Sequence, residues 1–421
     1  MYRDGSLDRR GFIAGLASAV SLSGCLKPKY TGPIPFGTLL PMTGQVQNGE
    51  SLQVAVDLAV EDVNDGGGIN DRKLEVHHKD TGTDPDRAMS EYRDLVNENA
   101  IIGLVGAFSS AVSVPLAKKA AGNKVMQVSP GSTSPVLSDL GYSQNGLKYF
   151  GRTAPSDAQQ GLVMGRVLNE DSFLGAEKAA FLYVDNPYGR GLAGIAEETF
   201  DGKTVAKHSY TPNKDSYSST LDSLYSNEPD AVALVGYPGS GKTIVEDWWD
   251  GDYGGNWVLS ESLNSYRSFI EPLGEKVDGM YITTPQPEET VGTKIFEEKL
   301  KKVSDRFDRK NENVFTPNAY DALFLMALAM VRSGAIGSQP IARNIRDVSM
   351  DPGTKVTVGE FGKAKNLLEQ GEEVNYQGAS GPVNLNQDLE PLSRFAILRI
   401  KDGERKTVET LDRKLFETGV L

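Results

Sequence analysis

The chain is almost without cysteine. Its 421 residues hold one, Cys25, so the body of the chain has no disulfide, thiolate metal cluster or cysteine nucleophile to offer. Histidine is nearly as scarce, at three: His77, His78 and His208. The first two are neighbours in a segment that reads as a strand. They therefore point to opposite faces and cannot share a metal there. No G-x-S-x-G nucleophile elbow occurs. These absences lead us to expect no enzyme, no metal and no cofactor. Positive charge is short as well. With 44 Lys and Arg against 57 Asp and Glu, the net charge is −13. No basic stripe is present, which argues against a nucleic-acid partner. The acidity suits ordinary solubility, or a high-salt habitat in which an acidic surface keeps the protein dispersed. No hydrophobic run is long enough to span a bilayer.

The amino terminus reads as a targeting segment rather than fold. Asp8-Arg9-Arg10-Gly11-Phe12-Ile13 is a twin-arginine start, followed by a short run of small apolar residues. The run ends in Leu22-Ser23-Gly24-Cys25. This pattern looks like a lipoprotein signal over 1–24, with Cys25 lipidated and 25–34 as a Gly/Pro tether. The expectation is a protein held to the outer face of the cell membrane by its lipid.

Beyond the tether, strand and helix alternate. Short apolar runs fall at 36–40 and 74–79, with helical periodicity at 51–64 and a helix opened by Asp84-Pro85 that reaches 97. The organising stretch is 101–135. It holds two apolar runs bounded by Gly and Pro, each ending in hydroxyl residues, at Ser109-Ser110 and Ser132-Thr133. Helix N-termini at such corners present free N–H groups that suit a carboxylate or a phosphate. A second series follows. Ser156-x-x-Gln159 reads as a capping box opening a helix to 169. Strands are expected at 179–184, 204–210, 231–235, 257–260, 280–283 and 395–400, with a long apolar helix at 318–331. This alternation predicts right-handed βαβ units, parallel sheets and more than one α/β lobe.

One motif competes for the function. Gly236-Tyr237-Pro238-Gly239-Ser240-Gly241-Lys242-Thr243 matches G-x-x-x-x-G-K-[ST] between a strand and a helix. It would make the chain a P-loop nucleotide hydrolase. Against this stand the export signal and the lack of a later apolar strand ending in Asp to hold the metal.

Several segments, taken in order, resemble the branched-chain amino acid binding proteins of ABC importers, with the type I periplasmic-binding fold typified by the Leu/Ile/Val-binding protein. They are Leu39-Leu40-Pro41-Met42-Thr43-Gly44, Gly67-Gly68-Ile69-Asn70-Asp71-Arg72-Lys73-Leu74, Asp84-Pro85, Gly106-Ala107-Phe108-Ser109-Ser110, Ser129-Pro130-Gly131-Ser132-Thr133-Ser134-Pro135, Phe150-Gly151-Arg152-Thr153, Gln159-Gln160-Gly161, Tyr188-Gly189-Arg190-Gly191, Tyr320-Asp321-Ala322 and Gly378–Val383. The resemblance covers nearly all of the chain after the tether. It implies two doubly wound parallel-sheet α/β lobes joined by a three-strand hinge. Lobe 1 would be 33–153 plus 285–389, and lobe 2 would be 154–284 plus 390–421, with crossings near Thr153, Thr284 and Leu389. It implies a ligand carboxylate on Ser110, Ser132 and Thr133, aromatic cover from Tyr188 and Tyr237, and Glu261 as the anion for an ammonium. The phosphate-loop letters would then begin at a ligand-binding loop. Where many relatives carry an aromatic, this chain has Asn48, which opens the ligand choice to a polar amino acid, an amide or a urea-like molecule. The implied role is delivery of an amino acid or small amide to an ABC permease. A ligand-sensing module for a signalling partner is the alternative from the same fold.

Overall fold

The computed structural model describes residues 32–46 and 49–417. Asn48, Cys25, the expected export signal over 1–24 and most of the expected tether lie outside them. The first sheet is built from β1 (Ile34–Leu40), β2 (Leu74–Asp80), β3 (Gly103–Gly106), β4 (Met126–Ser129) and β5 (Phe150–Arg152). Its order is β2-β1-β3-β4-β5, with every pairing parallel. The second sheet begins with β6 (Lys178–Val184), β7 (Lys203–Tyr210), β8 (Ala231–Val235), β9 (Asn256–Leu259) and β10 (Tyr281–Gln286). A side sheet of β11 (Thr354–Thr357), β12 (Val374–Gly378) and β13 (Gly381–Pro382) follows. Finally β14 (Arg394–Lys401) and β15 (Glu404–Leu411) return to the second sheet. Its order is β15-β14-β10-β9-β8-β6-β7, parallel from β7 to β10 and antiparallel beyond. The two parallel α/β lobes read from the sequence are thus present. The antiparallel edge and the side sheet are additions to that reading.

The central strands are apolar because both faces are covered. All five residues of β8, Ala-Val-Ala-Leu-Val, are buried. The helix Thr316–Ser333 is buried on almost every side, as its unbroken apolar sequence requires. It packs on the helix Gly49–Asp65 and beneath β3 and β4. Phe324 stacks on Tyr376 with ring centroids 4.9 Å apart and on Tyr320 at 5.4 Å. Gly334 ends this helix at φ +66°, a left-handed position that glycine takes without steric cost. Among the described residues, no single helix is long and apolar enough to cross a membrane.

The chain passes between the two main sheets three times: at 153–156 after β5, at 287–290 after β10, and at 383–393 before β14. Thr153 and Leu389 sit in the first and third passages, while Thr284 lies inside β10. The first passage is tied down reciprocally. Thr153 Oγ1 donates to the Asn318 carbonyl at 2.8 Å, and Asn318 Nδ2 donates to the Thr153 carbonyl at 2.7 Å. The expected capping box is only half made. Ser156 Oγ accepts from Ala158 N, but Gln159 turns to the third passage, donating to the Pro391 carbonyl and accepting from Ser393 N. Two backbone groups of this one passage took both ends of the Gln159 amide in place of the helix end.

The same region holds a fully buried guanidinium. Arg152 Nε donates to Glu390 Oε2 at 2.8 Å, and its Nη2 also reaches Glu390. Its Nη1 donates to the carbonyls of Ser132 and Ser134, at 3.2 and 2.9 Å. One side chain therefore links the loop after β4 to the third passage.

Candidate functional site

The carboxyl ends of both sheets meet at one crevice, the usual position for ligands in open α/β sheets. From the first sheet come the loop after β3, which enters the helix Ser110–Asn123, and the loop after β4. From the second come the start of the helix Pro187–Glu198, the turn after β8 and the turn after β9. A tight pocket of about 20 Å³ lies between them, lined by Ser109, Ser110, Gly131, Thr133, Tyr188, Tyr237 and Glu261 with Val46, Phe108, Ser262 and Phe315. A larger cavity of about 350 Å³ adjoins it. Gly131 permits this shape, because a Cβ there would stand 2.3 Å from the Phe108 ring.

Five of the sequence-read residues, Ser110, Thr133, Tyr188, Tyr237 and Glu261, line this pocket together. Ser110 Oγ accepts from Ser134 N at 3.2 Å, which fixes the two hydroxyl corners against each other. Tyr188 Oη donates to Glu261 Oε2 at 2.9 Å, and the Ser262 hydroxyl lies 3.0 Å from both Tyr188 Oη and Glu261 Oε1. Tyr188 and Tyr237 stack with centroids 5.7 Å apart. Tyr237 Oη accepts from Asn186 Nδ2 at 3.2 Å and lies 3.5 Å from Ser109 Oγ, across the crevice. Burial pushes the Glu261 carboxyl above its ordinary value, and the hydroxyls of Tyr188 and Ser262 only partly offset this.

Ser132 does not join them. Its hydroxyl is turned inward, donating toward the carbonyls of Ala107 and Phe108 at 3.1 and 2.8 Å and toward Ser113 Oγ at 2.7 Å. It bolts the β4 loop to the β3 loop, and the expectation that it touches ligand is corrected accordingly. Adjacent residues on an extended loop point in opposite directions, and Thr133 took the crevice side.

Asp157 was missed. It is the first residue of the helix Asp157–Asn169, is fully buried, and donates its backbone N–H to the Thr133 carbonyl at 2.8 Å. Neither carboxylate oxygen has a hydrogen-bond partner among the described residues. Burial raises its pKa well above the usual range, the nearby Glu261 charge raises it further, and Thr133 and Arg152 pull the other way. In the sequence it looked like an ordinary acid complementing a helix dipole. Its place directly after a hinge passage was the available signal.

The phosphate-loop letters fold as the end of β8, a turn and a helix opened by Pro238. Gly236 is required because a Cβ there would lie 1.9 Å from Tyr210 Oη. Lys242 stands on the outer face of the helix, 3.7 Å from Glu246. The loop thus presents Tyr237 to the crevice and Lys242 away from it.

The sequence profile of the family described as "Periplasmic binding protein" matches residues 33–404. The chain is 35% identical over 390 residues, 92% of each chain, to the chemotactic signal transduction system substrate-binding protein BasB of Halobacterium salinarum. The fold is similar to that of the branched-chain amino acid transporter substrate-binding protein LivJ of Streptococcus pneumoniae in complex with isoleucine. There the TM-score is 0.72 at 20% identity, covering 90% of this chain and 99% of that one. It is equally similar to a solute-binding protein of an ABC transporter from R. palustris in complex with benzoate, with TM-score 0.72, 17% identity, and 90% and 97% covered.

Proposed function

The chain belongs to the periplasmic binding protein family, and we propose that it is an extracytoplasmic, lipid-anchored solute-binding protein that captures a free amino acid between its lobes. It acts by binding, not by catalysis. The observation that carries this reading is the opposition of neutral hydroxyl donors and an acid in one pocket. Hydroxyls of Ser110 and Thr133 stand on one wall and the buried Glu261 carboxylate on the other. An amino acid carries a carboxylate and an ammonium a short distance apart. The carboxylate takes O–H and N–H donors, and the desolvated ammonium takes the anion. Asp157 stands behind Thr133, where burial favours its neutral acid form, and the stacked Tyr188 and Tyr237 cover the cation with their faces. In this reading, 33–153 with 285–389 and 154–284 with 390–421 are the two moving bodies.

The partner that reads the closed form is an ABC permease. One observation favours a second reading, delivery to a signalling partner: the Halobacterium relative that matches over 92% of this chain is named for chemotactic signal transduction.

A thermal-shift screen tests the binding reading. An amino acid at a hundred times its dissociation constant is expected to stabilise the protein by about 2.7 kcal/mol. If no amino acid raises the melting temperature, the reading fails. The anchor has its own test by cell fractionation. Cys25→Ser is expected to move the protein from the membrane fraction to the medium, since the proposed lipid is then never attached. A mutant that stays in the membrane fraction would rule the lipid anchor out.

A further inference from the structure

The cavity beside the tight pocket has two unlike ends. Near Tyr237 its walls are Val46, Phe108 and Phe315, with Phe108 and Phe315 edge to face at 5.9 Å. Its far end is polar and carries Glu312. Among the described residues lining the pocket and the cavity, the charged ones are Glu261 and Glu312, and there is no Lys, Arg or His. The cation serving Glu312 approaches from behind. Arg309, which lines a neighbouring cavity, lies 3.1 Å from Glu312 through Nη1 and gives Nη2 to Glu297. Among the described residues, the one further cation on Glu297 is the exposed Lys301 at 3.6 Å. Arg309 is therefore divided between two carboxylates; Glu312 also lines that neighbouring cavity, with Arg309, Lys310 and Arg405, while no cation among the described residues lines the cavity beside Tyr237. Burial pushes the Glu312 carboxyl up to about 7 despite Arg309, with the Glu297 charge adding to the rise.

Resting on the amino-acid reading of the tight pocket, we propose that this far end is a side-chain subsite for a cation. The ligand class is then an α-amino acid whose side chain ends in a guanidinium or ammonium that pairs with Glu312. The ammonium of the head group answers Glu261, and the second cation answers Glu312. A methylene stem fits the apolar walls between them, as long cationic side chains do when they bury their stems and present their heads to polar surroundings. A purely aliphatic side chain would fill the apolar part and leave Glu312 facing it unpaired. A neutral amide would find hydrogen bonds at the far end but would not balance the carboxylate.

The test is calorimetry at pH 8, above the Glu312 pKa, with arginine, citrulline and leucine. Citrulline keeps the shape of arginine without its side-chain charge. The wild type is expected to bind arginine at least tenfold more tightly than citrulline. In Glu312→Gln that gap is expected to close, and a thermal melting transition like that of the wild type shows that the variant is folded. At pH 6, where Glu312 takes up a proton, the wild-type gap is expected to narrow. Citrulline or leucine binding as tightly as arginine overturns the subsite, and so does a gap that persists in Glu312→Gln. Either result leaves the amino-acid reading standing, because leucine or citrulline has bound. If none of the three binds, the head-group reading falls and the subsite with it.

Discussion

Glu261→Gln is expected to weaken amino-acid binding by roughly thirtyfold to several thousandfold, the equivalent of about 2 to 5 kcal/mol for removing one partner of a buried charge pair. The change keeps the shape and removes the charge. A charge-assisted bond becomes a neutral one, and the new amide can aim an N–H at the ammonium. The residual binding comes from the Ser110 and Thr133 hydroxyls and from the cover of Tyr188 and Tyr237. Ser110→Ala is expected to cost less, because Thr133 and Ser109 still line the carboxylate side of the pocket. The ordering of the two variants by calorimetry is the check, and equal affinity of Glu261→Gln and wild type would remove Glu261 from the site. The pH profile adds a second reading of the same pair. Only the ionised carboxylate holds an ammonium, and burial raises the Glu261 pKa above its ordinary value. Wild-type affinity is therefore expected to fall as pH is lowered through that raised pKa. The fall comes at a higher pH than a solvent-exposed glutamate would give. Glu261→Gln is expected to be flatter over the same range, with any remaining slope assigned to Asp157.

The second large effect is on stability. Arg152→Met is expected to destabilise the protein by about 3 to 5 kcal/mol, the range for breaking a buried ion pair from one side. Arg152 is fully buried, and removing it leaves the Glu390 carboxylate without its guanidinium and the carbonyls of Ser132 and Ser134 without their donor. Methionine fills much of the volume, so the loss is electrostatic rather than a cavity. The double variant Arg152→Met/Glu390→Gln is expected to recover part of the loss, since it no longer strands a charge. Denaturant midpoints for the two single variants and the double variant measure this. A loss below about 1 kcal/mol would place the pair with solvent-screened surface bridges, where such small values are usual.

The sequence carried the parallel strands plainly, because short apolar runs such as 231–235 and 179–184 have no solvated face to interrupt them. The same logic hid β15. Glu-Arg-Lys-Thr-Val-Glu-Thr-Leu is an exposed edge strand with little apolar patterning, held by its pairing to β14. The side sheet was equally silent, with strands of four, five and two residues. At the site, residues that stand at strand ends were legible, because a strand end followed by Ser, Thr or Glu has a definite place in the topology. What the letters could not convey was side-chain direction. Ser132 and Thr133 are adjacent and chemically alike, yet one bolts two loops together and the other faces the crevice. Gln159 fitted a local capping pattern and was taken by a partner more than 230 positions away. Asp157 looked local, yet its backbone N–H holds the Thr133 carbonyl and its buried carboxyl feels the Glu261 charge.

The division of the pocket between the two sheets has a consequence for how ligands and near-ligands differ. Tyr188, Tyr237, Glu261 and Ser262 all hang from the second sheet, while Ser110 and Thr133 hang from the first. On the proposed reading, neither wall alone can hold both ends of a zwitterion. A plain amine satisfies only one wall, and a plain carboxylic acid only the other. Such half-molecules occupy the pocket without rewarding closure. They would act as antagonists, competing with an amino acid while keeping silent whatever partner responds to the shut form.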